Sequence, residues 1–144
     1  MVDQIKIAMS NPRAFISFDF DNNKLEKDFF IGQSRNSRTP FNIEDWSSKV
    51  HLPQKEWEDL LKAKVKKCNL LIVIVGKKTY VASGVEKEIS FAKENNVPVF
   101  GVYVDGANYN TILPNGLYRS RTISWNWDNI ADWVDLCMLE GKNN

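Results

Sequence analysis

Polar side chains with the chemistry to bind or act on a ligand follow one strongly apolar run of the sequence. The run LIVIV at 71–75 has the continuous apolar character of a parallel strand buried on both faces, and the segment GKKTYVASG follows it directly. Open α/β sheets bind ligands in the crevice beyond the carboxyl ends of such strands. We therefore expect the loop from Gly76 to Gly84 to line a site, with Glu88 one helical turn inside it.

Strand and helix patterns alternate along the chain around this segment. Short apolar runs bounded by turn residues predict strands, whereas apolar positions that repeat every three or four residues predict helices. In the first helix, Leu25, Phe29 and Gly32 fall on one face, with Asn22 or Asn23 as the N-cap. The predicted strands span residues 14–20, 40–45, 69–75, 97–104 and 121–125, and the predicted helices span residues 24–35, 54–67, 84–95 and 127–141.

This alternation predicts a single α/β domain over residues 1–144, with a five-stranded parallel sheet and helices on both faces. The expected strand order is the flavodoxin-like 2-1-3-4-5, whose switch point lies between strands 1 and 3. The loops that follow these two strands then face one crevice. This topology is expected to gather the following side chains: Phe18, Asp19, Asp21, Lys77, Thr79, Ser83 and Glu88.

The composition limits the classes of partner and the compartment. The 144 residues carry 19 Lys and Arg against 18 Asp and Glu, a formal net charge of +1, which argues against a surface that tracks nucleic-acid phosphates. Two cysteines, Cys68 and Cys137, are too few for a disulfide framework and lack metal-ligand spacing, so we expect no metal site and a reducing, cytoplasmic environment. The sequence has neither the run of about 18 apolar residues that a membrane span needs nor the apolar stretch of a signal peptide.

Two common classes of α/β site lack their motifs here. Neither GxxxxGK[ST] nor GxGxxG occurs, which argues against a P-loop enzyme and an ordinary Rossmann dehydrogenase. A phosphate-accepting response regulator would need an aspartate at the end of the third strand, where this chain has Val75 and Gly76. Asp19 stays a candidate ligand contact, Asp21 is expected to form a turn, and Phe18 is expected either in the core or against a ligand.

Three segments, in this order, resemble the Toll/interleukin-1 receptor (TIR) family, and specifically the TIR-like domains of Thoeris antiviral systems. They are the opening strand FISFDFD (15–21), the second strand and loop FNIEDWSS (41–48), and the block TYVASGVEKEI (79–89). In the family that block commonly contains a serine, a short spacer often with tryptophan, and a glutamate followed by an apolar residue. Glu88 takes the place of that glutamate, whereas Gly84 stands where many members carry tryptophan.

The resemblance covers about residues 12–105 and implies an enzyme that cleaves the nicotinamide–ribose bond of NAD to form an ADP-ribose product, cyclised or conjugated in some members. NAD is then the substrate, no further cofactor is expected, and Glu88 is the implied catalytic residue. Nicotinamide leaves as a neutral group from a cationic pyridinium, so no second carboxylate is needed as a general acid. The expected substrate contacts are Phe18, Asp19, Lys77, Thr79 and Ser83, with Asp45 and Trp46 on the loop after the second strand.

Two other functions stay open beside this one. A non-catalytic TIR-like scaffold would act by self-association through the loop that holds Asp45 and Trp46. A nucleoside deoxyribosyltransferase has a related fold and also uses a glutamate on ribose. For the NAD-cleaving enzyme, the expected partners are NAD and a separate effector protein that responds to the nucleotide product in antiviral defence, with no nucleic-acid or membrane partner.

Overall fold

A five-stranded parallel sheet forms the centre of the protein, and the computed structural model describes residues 11–38, 40–44 and 53–141. The strands are β1 (Arg13–Phe18), β2 (Asn42–Glu44), β3 (Leu70–Val75), β4 (Val99–Tyr103) and β5 (Thr122–Ile123). The helices are α1 (Lys24–Ser34), α2 (Gln54–Lys67), α3 (Ser83–Glu94) and α4 (Trp127–Glu140), with short 3-10 turns at Thr79–Val81 and Arg119–Arg121. None of the described helices combines the length and the apolar character that crossing a membrane requires.

The strands are ordered β2-β1-β3-β4-β5 and pair in parallel, which confirms the predicted flavodoxin-like arrangement. β1 and β3 are neighbours, with Ser17 opposite Val73 and Phe18 opposite Ile74. Every residue of β3 is buried, as expected of a central strand that is covered on both faces. The carboxyl ends of β1 and β3 therefore lie next to each other at the switch point of the sheet.

Local hydrogen bonds make two strands shorter than their predicted ranges. The predicted first strand reaches residue 20, but β1 ends before Asp19, whose carbonyl accepts hydrogen bonds from the amides of Asn22 and Asn23. The predicted fourth strand begins at residue 97, but the amide of Val97 is bonded to the carbonyl of Ala92 near the end of α3. Helix α2 has the bounds that its apolar spacing predicts. The apolar pattern of the sequence misplaces the end of β1 and the start of β4, because hydrogen bonds of the neighbouring turns decide where these strands stop and begin.

Helices cover both faces of the sheet, each face with its own hydrophobic core. α1 and α4 cover one face, where the rings of Phe30 and Trp127 have centroids 4.9 Å apart. α2 and α3 cover the other face, where Leu61 and Ile89 are fully buried. This two-sided covering explains why β3 is apolar at every position.

One face of α1 differs from what its apolar spacing suggests. Leu25 and Phe29 do share a face with Gly32, as predicted, but these two side chains are 62% and 56% exposed. The buried residues of this helix are Lys27, Phe30 and Ser34. The spacing identifies the helix, but contact with the aromatic cluster around Phe30 decides which side meets the sheet.

Candidate functional site

Glu88 lies on the inner side of α3, at the edge of the apolar stripe that packs this helix onto the sheet. The buried apolar residues of the stripe are Val85, Ile89 and Ala92. Glu88 falls beside them and is only 9% exposed. Glu86 points about 200° away around the helix, is exposed, and accepts a hydrogen bond from the side chain of Asn115. The two glutamates of this helix therefore occupy opposite environments.

A buried hydrogen bond joins Glu88 to the central part of the sheet. The hydroxyl of Ser17 donates to Oε1 of Glu88 across 2.6 Å, a length typical of a hydroxyl bound to a carboxylate. Ser17 is fully buried and is the penultimate residue of β1. A buried hydroxyl without a partner would cost about 1–3 kcal/mol, and this contact removes that cost. The carboxyl group of Glu88 therefore lies beside the carboxyl end of β1, where the fold places its crevice.

Asp19 organises the turn that follows β1. Its carboxylate accepts hydrogen bonds from the amide of Asp21 at 3.1 Å and from the side chain of Asn22 at 2.7 Å, and the residue is buried. Asp21 is exposed within this turn, as the sequence predicts. Both carboxylate oxygens of Asp19 thus shape the first crevice loop, and its contact with a substrate stays a prediction.

Asn23, Gly76 and Thr79 join the loops that follow β1 and β3. The amide of Gly76 donates to the Thr79 hydroxyl at 2.8 Å, and that hydroxyl lies 3.4 Å from two acceptors, Oδ1 of Asn23 and the carbonyl of Ile74. Thr79 is fully buried and Asn23 nearly so, which places both side chains inside the junction. Asn23 stands at the N-cap of α1, but its side chain makes no capping bond. The two crevice loops are therefore fastened to each other, and the predicted contact of Thr79 with a substrate stays untested.

The outer part of the second crevice loop holds Lys77, Ser83 and Gly84. Lys77 is exposed, and its Nζ lies 3.3 Å from where a Cβ of Gly106 would stand, over the loop that follows β4. Ser83 is the exposed first residue of α3. No described atom comes within 4 Å of the place that a Cβ would take at Gly84. Among the described residues, the space at the start of α3 is therefore open.

Phe18 lies on the other face of the sheet from Glu88. Successive residues of a strand point to opposite faces, and Phe18 belongs to the core under α1 and α4, whereas Ser17 points to α3. The ammonium of Lys27, itself a buried residue, stands 4.9 Å from the centroid of the Phe18 ring. Phe18 therefore packs in the core, the first of the two roles expected for it, and its contact with a substrate stays a prediction.

The predicted set and the observed site overlap only in part. Asp45 and Trp46, two predicted substrate contacts, lie outside the described residues. Ser17 and Asn23 are absent from the predicted set, although both hold parts of the site. The available signal for Ser17 was a single hydroxyl inside the otherwise apolar run FISF, which calls for a buried polar partner.

A second polar cluster lies at the amino end of β4, away from this site. Arg121 donates two hydrogen bonds to the Glu140 carboxylate, at 2.7 and 2.8 Å, and they hold the pKa of Glu140 below its usual value. Burial raises the pKa of the neighbouring Cys137 thiol to about 12, so this thiol is a poor nucleophile at neutral pH. A cavity of about 350 Å³ beside this cluster is lined by Val99 and opens at the same end. This cluster therefore lies at the other end of the sheet from Glu88.

Comparisons with solved structures agree with this architecture. A prokaryotic SEFIR domain gives a TM-score of 0.55 at 17% identity, covering 90% of this chain and 92% of that chain, and this similarity supports the fold alone. The TIR domains of the activated Roq1 resistosome, which directly recognizes the pathogen effector XopQ, give a TM-score of 0.47 at 11% identity, covering 90% of this chain and 70% of that chain, too weak to carry an argument. No curated protein matches the chain.

A family comparison is more specific than these structural similarities. The family model described as Thoeris protein ThsB, TIR-like domain, matches residues 15–109. This span runs from β1 to the loop after β4 and includes Ser17, the junction of the crevice loops and Glu88. Because the match takes in well over half of the 144 residues, the protein belongs to the family of the Thoeris protein ThsB, TIR-like domain.

Proposed function

We propose that the protein cleaves the bond between nicotinamide and ribose in NAD and releases an ADP-ribose-derived nucleotide that acts as a signal in antiviral defence. The observation that carries this proposal is the buried carboxylate of Glu88, bonded to Ser17 at the carboxyl end of β1. Membership of the ThsB TIR-like family supports the choice of reaction. NAD is the substrate in this proposal, and no other cofactor takes part.

Cleavage of this bond creates positive charge on the ribose. As the C–N bond breaks, its electron pair goes to the nicotinamide nitrogen, which becomes neutral, so the leaving group needs no proton. The ribose becomes an oxocarbenium-like centre. A carboxylate in a low-dielectric setting stabilises such a charge more strongly than a carboxylate in water. Glu88, with 9% exposure, has this setting.

The acceptor decides the product. Capture of the ribose cation by water forms a C–O bond, releases one proton and gives linear ADP-ribose. Capture by a nitrogen or hydroxyl of the nucleotide itself, or of a second molecule, gives a cyclised or conjugated product. In either case the role of Glu88 ends with charge stabilisation and orientation of the ribose.

Other residues of the crevice are suited to the rest of the substrate. The exposed ammonium of Lys77 can pair with the NAD diphosphate, and Ser83 can donate a hydrogen bond at the start of α3. Asp45 and Trp46 would complete the site from the loop after β2. In the same proposal a separate effector protein binds the product, and self-association of the chain raises activity. Nicotinamide release per molecule should then rise with protein concentration.

The test is nicotinamide release from NAD by the purified protein and by two matched variants. Glu88→Gln keeps the size and most hydrogen-bonding capacity of the side chain but removes the charge, and should lower the rate by about a hundredfold or more. Glu86→Gln makes the same change on the exposed side of the same helix and should leave the rate near that of the wild type. A folded Glu88→Gln protein with the wild-type rate would exclude the catalytic role.

The nicotinamide assay, together with an assay of base exchange, separates the other two functions. A wild-type protein that releases no nicotinamide over the whole concentration range, yet self-associates, would favour the assembly scaffold. Exchange of bases between an added deoxynucleoside and a free base, without action on NAD, would favour a deoxyribosyltransferase.

A further inference from the structure

Ser17 is the one hydroxyl residue of an otherwise apolar strand core. β1 reads RAFISF, and all its residues after Arg13 are buried. Phe15, two residues earlier on the same face, lies in the hydrophobic core beneath α2 and α3. A serine contributes little to such a core, because its hydroxyl must be satisfied and its side chain fills little space. Packing alone gives no reason for a serine at this position.

Glu88, the hydrogen-bond partner of Ser17, is also a polar residue at a position where packing favours an apolar one. It stands between helix positions that are fully or nearly fully buried, Val85 and Ile89, where an apolar residue would pack without loss of hydration. Buried charged groups are retained at a cost in stability, and replacement by apolar residues is often neutral or stabilising. Two buried polar groups, 71 residues apart in sequence, meet at 2.6 Å. Their contact within an apolar layer points to a function for the pair.

We propose that Ser17 is the positioning residue of Glu88. Its hydroxyl donates to Oε1 and holds the carboxylate beside the carboxyl end of β1, in the orientation that the reacting ribose requires. Because Ser17 pairs with Val73 of the central strand β3, the donor is held by the hydrogen-bonded ladder of the sheet. Ser17 does not contact the substrate in this role, because it is fully buried. This inference rests on the NAD-cleaving function proposed above.

The experiment compares steady-state kinetics of NAD cleavage in wild type, Ser17→Ala, Ser17→Thr and Ser34→Ala. Ser17→Ala removes the donor and should lower kcat by about tenfold, with KM within about twofold of wild type, because orientation of the carboxylate matters most in the transition state. Ser17→Thr restores a hydroxyl and should recover most of the lost kcat. Ser34→Ala is the matched control, since Ser34 is also buried and donates at 2.6 Å, but to the carbonyl of Ile31 in α1.

Urea unfolding of each variant shows whether it is folded under the assay conditions. If Ser17→Thr does not fold because its extra methyl group is too large, Ser17→Cys takes its place, and its weaker donor should give a kcat between those of wild type and Ser17→Ala. A tenfold loss of kcat in Ser17→Ala with recovery in the hydroxyl variant supports the proposal.

Four results would overturn it, and they are distinguishable from one another. An active wild type with an unchanged kcat in folded Ser17→Ala would remove the role of Ser17 and leave the role of Glu88 intact. An equal loss in Ser34→Ala, or a rise in KM at constant kcat, would show a general structural effect or a binding effect instead. A wild type that does not cleave NAD would overturn the proposed function and the role of Ser17 with it.

Discussion

Replacement of Gly76 by alanine should push apart the two loops that follow β1 and β3 and lower the free energy of unfolding. The new Cβ would stand 2.4, 2.7 and 2.8 Å from the three terminal atoms of the Asn23 amide, closer than real contacts allow. Asn23 is 2% exposed and has little room to move away. Overpacking of this kind costs about 1–3 kcal/mol, and loss of the Asn23–Thr79 contact adds about 0.5–1.5 kcal/mol.

One opposing effect reduces this sum. Alanine restricts the unfolded chain more than glycine does, which stabilises a protein by about 0.4–1 kcal/mol where the backbone permits it. Together these three contributions predict that Gly76→Ala lowers the free energy of unfolding by about 0.5–4 kcal/mol. Because the same junction sets the spacing of the loops after β1 and β3, NAD cleavage should fall as well.

The assay is urea unfolding followed by tryptophan fluorescence, with two comparison proteins. Gly32→Ala is the matched control: no described atom lies within 4 Å of its Cβ position, and the helix should become more stable by about 0.5–1 kcal/mol. Asn23→Ala removes all three clashing atoms, so Gly76→Ala added to it should cost little. The reasoning is refuted if Gly76→Ala matches wild type in stability, or if it destabilises the Asn23→Ala protein as much as it destabilises wild type.

Three further predictions concern other parts of the molecule. Gly84→Trp fills the open space at the start of α3. In a folded protein it should shift the products from cyclised or conjugated ADP-ribose towards linear ADP-ribose, or lower turnover. Chromatography and mass spectrometry that find linear ADP-ribose as the sole product of both proteins would contradict this. The Tyr103 hydroxyl is buried with no hydrogen-bond partner among the described residues. Tyr103→Phe should therefore raise the free energy of unfolding by about 1 kcal/mol. If Tyr103→Phe is instead less stable than wild type in urea, the hydroxyl makes a hydrogen bond in the folded protein. The hydrogen bonds from Arg121 lower the pKa of Glu140 in the folded protein below its usual value. Between the folded and unfolded pKa values the unfolded chain binds more protons, so the free energy of unfolding rises with pH there, and Glu140→Gln should reduce this rise by about 1 kcal/mol or less. A urea midpoint with the same pH dependence in Glu140→Gln and wild type would argue against this.

The local pattern of apolar and turn residues was sufficient to predict the helices and strands and their order along the chain. The apolar run at 70–75 identifies β3, and the apolar spacing within residues 54–67 identifies α2 with its observed bounds. The alternation of strands and helices implies parallel crossovers. The flavodoxin-like order was the one expected for five such strands, and the structure has this order, β2-β1-β3-β4-β5. The candidate site could be placed at the carboxyl ends of β1 and β3 for the same reason, since topology alone brings those ends together.

The contacts of individual side chains could not be predicted from the local pattern of the sequence. Leu25 and Phe29 mark a helix by their spacing, yet they face solvent, because only the packed sheet decides which side of α1 is covered. Asn23 is a plausible cap by residue type, yet its amide fills the space that Gly76 leaves open in another loop. Both outcomes depend on contacts made across the fold.

The sequence by itself determined the class of fold and the edge of the sheet expected to carry the crevice, because periodicity and turn residues are local properties of the chain. The choice of Glu88 as the residue to examine came from the resemblance of the block TYVASGVEKEI (79–89) to TIR domains. Only the tertiary structure decided that Glu88 is buried, that Glu86 is not, and that Ser17 holds the carboxylate from a strand 71 residues away. The physical reason is that burial and hydrogen-bond partners are properties of the packed layers, which form only when α3 lies against β1.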